Sequence, residues 1–300
     1  MKKNIPESIV LPGHRDFEVL SEIANDITLR AGGSKALAQK IPLMLRECID
    51  AVIETPRTGR RSYDELEKTE KIYIGTRVEI MLRSILKLPK GKLDTVICGY
   101  DVDIKNTMKT DWEIPREAIG HPLILVAADE QKAQCYLGLI IARPEYLNPG
   151  RNHDKKRKFK ASEWENIFWL LKNHPYPPNF WRTVPSDKIE RIFAGSTGNQ
   201  RVTTLFREVL GVVITRDVVD AVGMQLDNTR RLRADDGKGT RDDLAKEGIA
   251  LLSGDRHTPL IVKLGLPKCS GSEWISYKPT NAAEADLCRQ AGINLIWPTI

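Results

Sequence analysis

Between residues 122 and 143 the chain carries two nearly continuous apolar runs, PLILVAAD and CYLGLIIAR, separated by a short polar turn. Neither is long enough to span a bilayer, which takes roughly 20 residues. Neither alternates as a strand with one wet face would. Strands that are apolar on both faces must be covered on both faces, so the pair predicts the centre of a sheet lying between other layers.

The preceding residues supply one such layer. DFEVLSEIANDITLRAGG has apolar positions at helical period and stops at Gly32 and Gly33. Ser34 can cap a second helix, KALAQKIPLMLRECIDAVIE, whose Leu37, Ile41, Leu45, Cys48 and Val52 share one face. TPRTGRRSYDELEK reads as a turn and a short helix, with Ser62 and Glu65 spaced as a capping box. After Gly75, TRVEIMLRSILKL reads as another amphipathic helix, closed by Pro89 and Gly91. Two shorter alternating segments, DTVICG and YDVDIK, follow. Together these predict an α/β domain, a mixed sheet flanked by helices.

Composition then shifts. NPGRNHDKKRKFK is basic and turn-rich, and NHPYPPNFW is rich in proline and aromatics. From about Pro185 a series of short helices is expected in SDKIERIF, QRVTTLFREVLG, TRDVVDAVGM and TRDDLAKEGIALLSG, with strands in PLIVKLGL and EWISYK. Short helices followed by a small hairpin outline a mainly α, winged-helix-type DNA-binding domain. The expected organisation is therefore a first domain over 1–160, a linker over 161–184 and a second domain over 185–300. Trp164, Trp169, Phe180 and Trp181 suit packing of the interdomain segment better than stacking on bases.

The net charge of +6 and pI near 9.0 favour an acidic partner such as nucleic acid. The five cysteines form no C-x-x-C pair, against a zinc site or a disulfide framework. The start, MKKNIPESIVLPGHRDFEVL, has no apolar stretch behind its lysines and is not a signal peptide. A reduced, soluble, cytoplasmic protein is expected. His121, His153 and His174 do not sit at ligand spacing, and neither a P-loop nor a G-x-G-x-x-G is present, so no nucleotide cofactor is expected.

DTVICGYDVDIK, residues 94–105, carries the chemistry. In a strand, Asp101, Asp103 and Lys105 share one face while Val102 and Ile104 fill the core behind. A hairpin turning at Gly99 returns Asp94 to that acidic face, giving D-x8-D-x-K. Phosphodiester hydrolysis needs an activated water and stabilisation of charge building on the phosphate. Mg²⁺ held by one or two carboxylates serves both needs, and a lysine can orient the water or neutralise the phosphate. Asp94 and Asp103 would hold the metal, Lys105 would act on water or phosphate, and Glu79 on a neighbouring helix is available to complete the set. The alternative is a solvated strand face dressed with charge, since the pattern alone recurs by chance.

Two basic stretches are candidate DNA contacts. Arg151, Lys155, Lys156, Arg157, Lys158 and Lys160 can meet phosphates, or simply solvate a linker. Arg230, Arg231, Arg233, Lys238 and Arg241 flank a possible recognition helix beginning near Thr240, with Arg241 the leading candidate, although Asp242, Asp243 and Glu247 would repel a DNA backbone.

TEKIYIGTRVEI, the run from Asp94 through Asp103 to Lys105, the following TDWEIPREAIG and the helical C-terminal part together resemble the NaeI-type (type IIE) restriction endonucleases, over both halves of the chain. The resemblance implies a restriction-endonuclease-like domain, similar to the mismatch-repair nickase fold, joined to a winged-helix-type DNA-binding domain. It implies a Mg²⁺-dependent homodimer that cuts both strands of a GC-rich palindrome, GCCGGC, and binds a second double-stranded site as effector. It also implies an active-site set of Glu79, Asp94, Asp103 and Lys105, with Glu70 on the same helical approach as Glu79. A nickase and a non-catalytic winged-helix regulator remain the alternatives.

Overall fold

The computed structural model describes residues 5–108, 111–150, 155–224, 232 and 239–297. The chain divides into two compact units, Met1–Ile53 with Ser62–Asn179, and Glu54–Arg61 with Phe180–Ile300.

The first unit opens with α1 (Phe17–Ala31) and α2 (Ser34–Ile53), separated by Gly32 in the left-handed conformation that ends α1. After the short α3 (Thr55–Thr58), which groups with the second unit, α4 spans Lys68–Ile85. It starts seven residues before Gly75, the point from which the sequence predicted it, because Glu67 and Glu70 cap it reciprocally. Then come β1 (Thr95–Ile97), β2 (Tyr100–Thr107), β3 (Glu113–Ile114), β4 (Pro122–Asp129), β5 (Gln134–Ile141), β6 (Arg157–Lys158) and β7 (Phe168–Pro175).

Five of these strands form a mixed sheet in the order β1-β2-β4-β5-β7, with only β2 and β4 parallel. Ile124, Val126 and Ala128 of β4 join the core made with α1, α2 and α4. Leu123, Leu125 and Ala127 join an opposite core with Trp112, Tyr146, Leu147, Phe159 and Trp164. Apolar residues on both faces of one strand are thereby accounted for. On β5, Gly138 lies under Ile167 and Trp169, and a Cβ there would stand 2.5 Å from Ile167 Cγ2 and 2.8 Å from Trp169 Cε3.

The expected linker over 161–184 is corrected. Ala161–Asn166 forms a turn of 3₁₀ helix and β7 closes one edge of the sheet, so the first unit runs to Asn179. As an edge strand with a bulged pairing to β5, β7 is only half-buried, which weakens its apolar alternation. The aromatics assigned to an interdomain segment pack within separate cores. Trp164 lies 5.7 Å from Trp112 and Trp169 lies 6.0 Å from Tyr136, whereas Trp181 contacts Phe180 at 5.0 Å and Phe193 at 5.5 Å.

The second unit contains α5 (Phe180–Thr183), α6 (Ser186–Phe193), α7 (Gly198–Glu208), β8 (Val213–Thr215), α8 (Arg216–Gly223), α9 (Thr240–Lys246), β9 (Ala250–Ser253), α10 (Thr258–Lys263), β10 (Glu273–Tyr277) and α11 (Ala282–Gln290). Its strands form an antiparallel sheet in the order β8-β10-β9. Two local expectations are reversed here. PLIVK of PLIVKLGL is helical, within α10, and the strand that pairs with EWISY is ALLS, read from sequence as the tail of a helix. Gly248, at φ 73°, ends the helical turn and frees those four buried residues to pair. The segment Glu54–Arg61 also packs here, with α3 against α8 and the Arg61 guanidinium 3.9 Å from the centre of the Phe193 ring.

Candidate active site

The hairpin that positions the site is β1 and β2, paired Thr95 to Val102, Val96 to Asp101 and Ile97 to Tyr100. Its two-residue turn is Cys98 and Gly99, at φ 50° and 82°, positive at both positions as a tight hairpin with native twist requires. Continued by one residue, the register sets Asp94 opposite Asp103. Asp94 Oδ2 accepts the backbone N–H of Ile104 at 2.7 Å, which pins that carboxylate against β2. Val102 and Ile104 point into the helix-side core, so Asp103 and Lys105 take the other face.

Asp103 is 4% exposed. Lys105 Nζ lies 2.6 Å from Asp103 Oδ2 and 3.9 Å from Asp94 Oδ2. Asp103 Oδ2 is buried without a well-angled hydrogen bond, so the charge of Lys105 is its main compensation. Burial pushes the Asp103 carboxyl up to about 7, against the pull of Lys105 and with a further push from Asp94. Two carboxylates against one ammonium, with an incompletely satisfied buried oxygen, make a hard-donor pair that suits an oxygen-preferring divalent cation.

Glu79 stands on α4, which packs over β2. Burial raises its carboxyl above the usual range, as does the charge of Asp94, while Arg83 and Lys105 pull it down. It accepts a 3.3 Å hydrogen bond from Arg83. Glu79 is thus within electrostatic reach of the pair, yet among the described residues no three acidic, histidine or cysteine side chains are gathered closely enough to form a metal cage. Glu70 is occupied elsewhere, accepting the Glu67 N–H at 2.8 Å in the first turn of α4. That is about 13 Å along the helix from Glu79 at 1.5 Å per residue. Sequence reasoning left Asp101 without a role, whereas in the fold its two carboxylate oxygens accept the N–H of Leu93 at 3.1 and 3.2 Å.

The basic candidates separate. Arg157 donates to the carbonyls of Asn148, Leu147 and Pro144 at 2.6, 2.9 and 3.3 Å, so its guanidinium stitches a loop together. Lys155 is exposed and Lys156 half-buried. Arg241 lies at the start of α9, partly buried, donating to the carbonyls of Leu232 at 2.6 Å and Leu251. Burial and the charge of Arg256 depress its pKa. Arg230, Arg231, Arg233 and Lys238 lie outside the described residues, as does Arg151. All five cysteines are free thiols, and among the described residues no helix is long and apolar enough to cross a membrane.

The family model for restriction endonuclease NaeI matches residues 34–294. The chain is also 33% identical over 260 residues to the type II restriction enzyme NaeI of Lentzea aerocolonigenes, covering 83% of this chain and 81% of that one. The chain belongs to the NaeI restriction endonuclease family. Membership in the NaeI family makes it a nuclease, a hydrolase of phosphodiester bonds, and the matched residues cover most of both units. The hairpin of Asp94, Asp103 and Lys105 lies inside the same stretch.

Proposed function

We propose that this protein is a Mg²⁺-dependent type II restriction endonuclease. It cuts both strands of DNA at a palindromic, GC-rich site, acts as a homodimer, and binds a second DNA site through its C-terminal unit. The observation that carries the reading is the convergence of Asp94, Asp103 and Lys105 on one hairpin face, in the order and spacing D-x8-D-x-K.

Asp94 and Asp103 would hold Mg²⁺, since they are hard oxygen donors and one buried oxygen of Asp103 is short of hydrogen bonds. Bound there, the ion would supply Lewis acidity for water activation and for the charge of the leaving oxygen. The chain's own residues do the rest. The Ile104 N–H fixes the direction of Asp94. Lys105, between the two carboxylates, presents its ammonium where negative charge builds on the phosphate as water attacks and the opposite P–O bond breaks. Glu79 adds negative charge from α4, within electrostatic reach of Asp94 and Lys105.

For the C-terminal unit, a winged-helix reading is supported by the sheet order β8-β10-β9 and by the succession α7, β8, α8, α9, β9, β10, with α10 inserted between the last two strands. In that reading α9 is the recognition helix, Arg241 supports its start, and Lys155 and Lys156 of the first unit supply phosphate contacts. The test is digestion of a plasmid carrying several GCCGGC sites, with Mg²⁺ or EDTA, by wild type and Asp103→Ala. Discrete linear fragments from the wild type with Mg²⁺ alone, and none from the variant, support the reading. Relaxed but never linear plasmid would make the protein a nickase. Intact plasmid bound equally in EDTA would make it a regulator.

A further inference from the structure

We infer that Asp101 is the positioning residue for Asp94, and that position 91 is glycine to make room for it; the inference rests on the reading of Asp94 and Asp103 as the metal-holding pair. Asp94 sits at the junction of a loop and a strand, where a side chain is ordinarily loosely directed. Here the chain is tied on both sides of it. Downstream, the Thr95 hydroxyl and the Val96 N–H both donate to the Pro89 carbonyl, at 2.7 and 3.3 Å, and Thr95 is fully buried. Upstream, the N–H of Leu93, the residue just before Asp94, is held by both oxygens of Asp101. Together with the Ile104 N–H on its carboxylate, these contacts leave Asp94 little freedom in backbone or side chain.

Gly91 is the counterpart. Its backbone is not left-handed, so conformation does not demand glycine there; space does. A Cβ at Gly91 would fall 2.4 Å from Asp101 Oδ1 and 2.7 Å from the Thr95 carbonyl oxygen. The loop closes over the Asp101 carboxylate closely enough that only a hydrogen fits. Contacts that orient ligating carboxylates typically carry a tenfold to hundredfold share of metal affinity.

The experiment measures Mn²⁺ binding to the full-length protein on uncleaved DNA by electron paramagnetic resonance, beside the Mg²⁺ concentration for half-maximal cleavage and the melting temperature. Asp101→Ala is expected to weaken Mn²⁺ binding by about tenfold and to shift the Mg²⁺ requirement by the same factor, with the cleavage rate at saturating Mg²⁺ close to wild type. Asp101→Asn, which keeps an acceptor oxygen for Leu93, is expected to recover most of that loss. Gly91→Ala, which removes no carboxylate but crowds that of Asp101, should reproduce the Asp101→Ala defect, and it carries the test if Asp101→Ala does not fold. Unchanged Mn²⁺ affinity in Asp101→Ala or Gly91→Ala, whatever happens to stability, overturns the positioning role. If the wild type itself binds no Mn²⁺ and cleaves no better than Asp103→Ala, the metal-pair reading has failed and the inference falls with it.

Discussion

Asp103 Oδ2 and Lys105 Nζ lie 2.6 Å apart although Asp103 is only 4% exposed, and the ion pair still does not bring the carboxyl down to its ordinary range. Desolvation outweighs the lysine there, so the folded metal-free protein holds a proton on Asp103 up to a pH of about 7.

That imbalance sets a pH signature. The folded carboxyl titrates near 7 and the unfolded one near its ordinary 3.8, so between about 4 and 7 the native state binds more protons than the unfolded state. The contribution of Asp103 to stability therefore falls as pH rises through that window. In EDTA, Asp103→Asn is expected to melt at a higher temperature than wild type at pH 8, with the gap closing toward pH 4. Parallel melting curves for the two proteins from pH 4 to pH 8 would contradict this.

Lys105→Met removes the cation shared by both carboxylates while keeping most of the side-chain volume. Loss of one preorganised charge aimed at a reacting phosphate typically lowers the rate by about a hundredfold to a thousandfold. Single-turnover cleavage should fall by that order, with DNA binding in EDTA retained in a gel shift. A variant within a few-fold of wild-type rate would remove Lys105 from the mechanism.

Gly138→Ala should destabilise without touching the chemistry. The new methyl would press on Ile167 and Trp169 in a closed core. Overpacking of this kind costs about 1–3 kcal/mol. A lowered melting temperature with unaltered cleavage per folded molecule is the expected pair of results, read by calorimetry and by active-site titration.

Arg241 and Lys155 should part company under salt. Arg241 is engaged with the carbonyls of Leu232 and Leu251, so Arg241→Ala is expected to lower the melting temperature of the C-terminal unit. Lys155→Ala, at an exposed lysine, should leave melting unchanged and reduce the slope of log affinity against log salt by about one if that lysine meets a phosphate. An unchanged slope assigns Lys155 to solvent.

Much of the candidate site's geometry was legible because it follows from strand period. Asp103 and Lys105 are two residues apart and must share a face of β2, and a tight turn at Cys98 and Gly99 must bring Asp94 back to it. The apolar runs of β4 and β5 announced a sheet covered on both sides for the same local reason. Glu79 could be named as a candidate, but its separation from Glu70 in role depends on where α4 is capped and on its packing over β2.

The amino-acid sequence by itself determined the features whose physical cause is local: the helix faces of α1 and α2, the doubly apolar central strands and the spacing of the acidic hairpin. The tertiary structure decided the features whose partners lie far along the chain. It gave β7 to the first unit and Glu54–Arg61 to the second, because each is held mainly by residues that sequence order does not place beside it. It made ALLS a strand and PLIVK a helix, because pairing with β10 outweighs the local preference of short apolar segments. It turned Arg157 and Arg241 toward backbone carbonyls, and it closed Gly91 over Asp101, because only the assembled chain brings those groups within reach of one another.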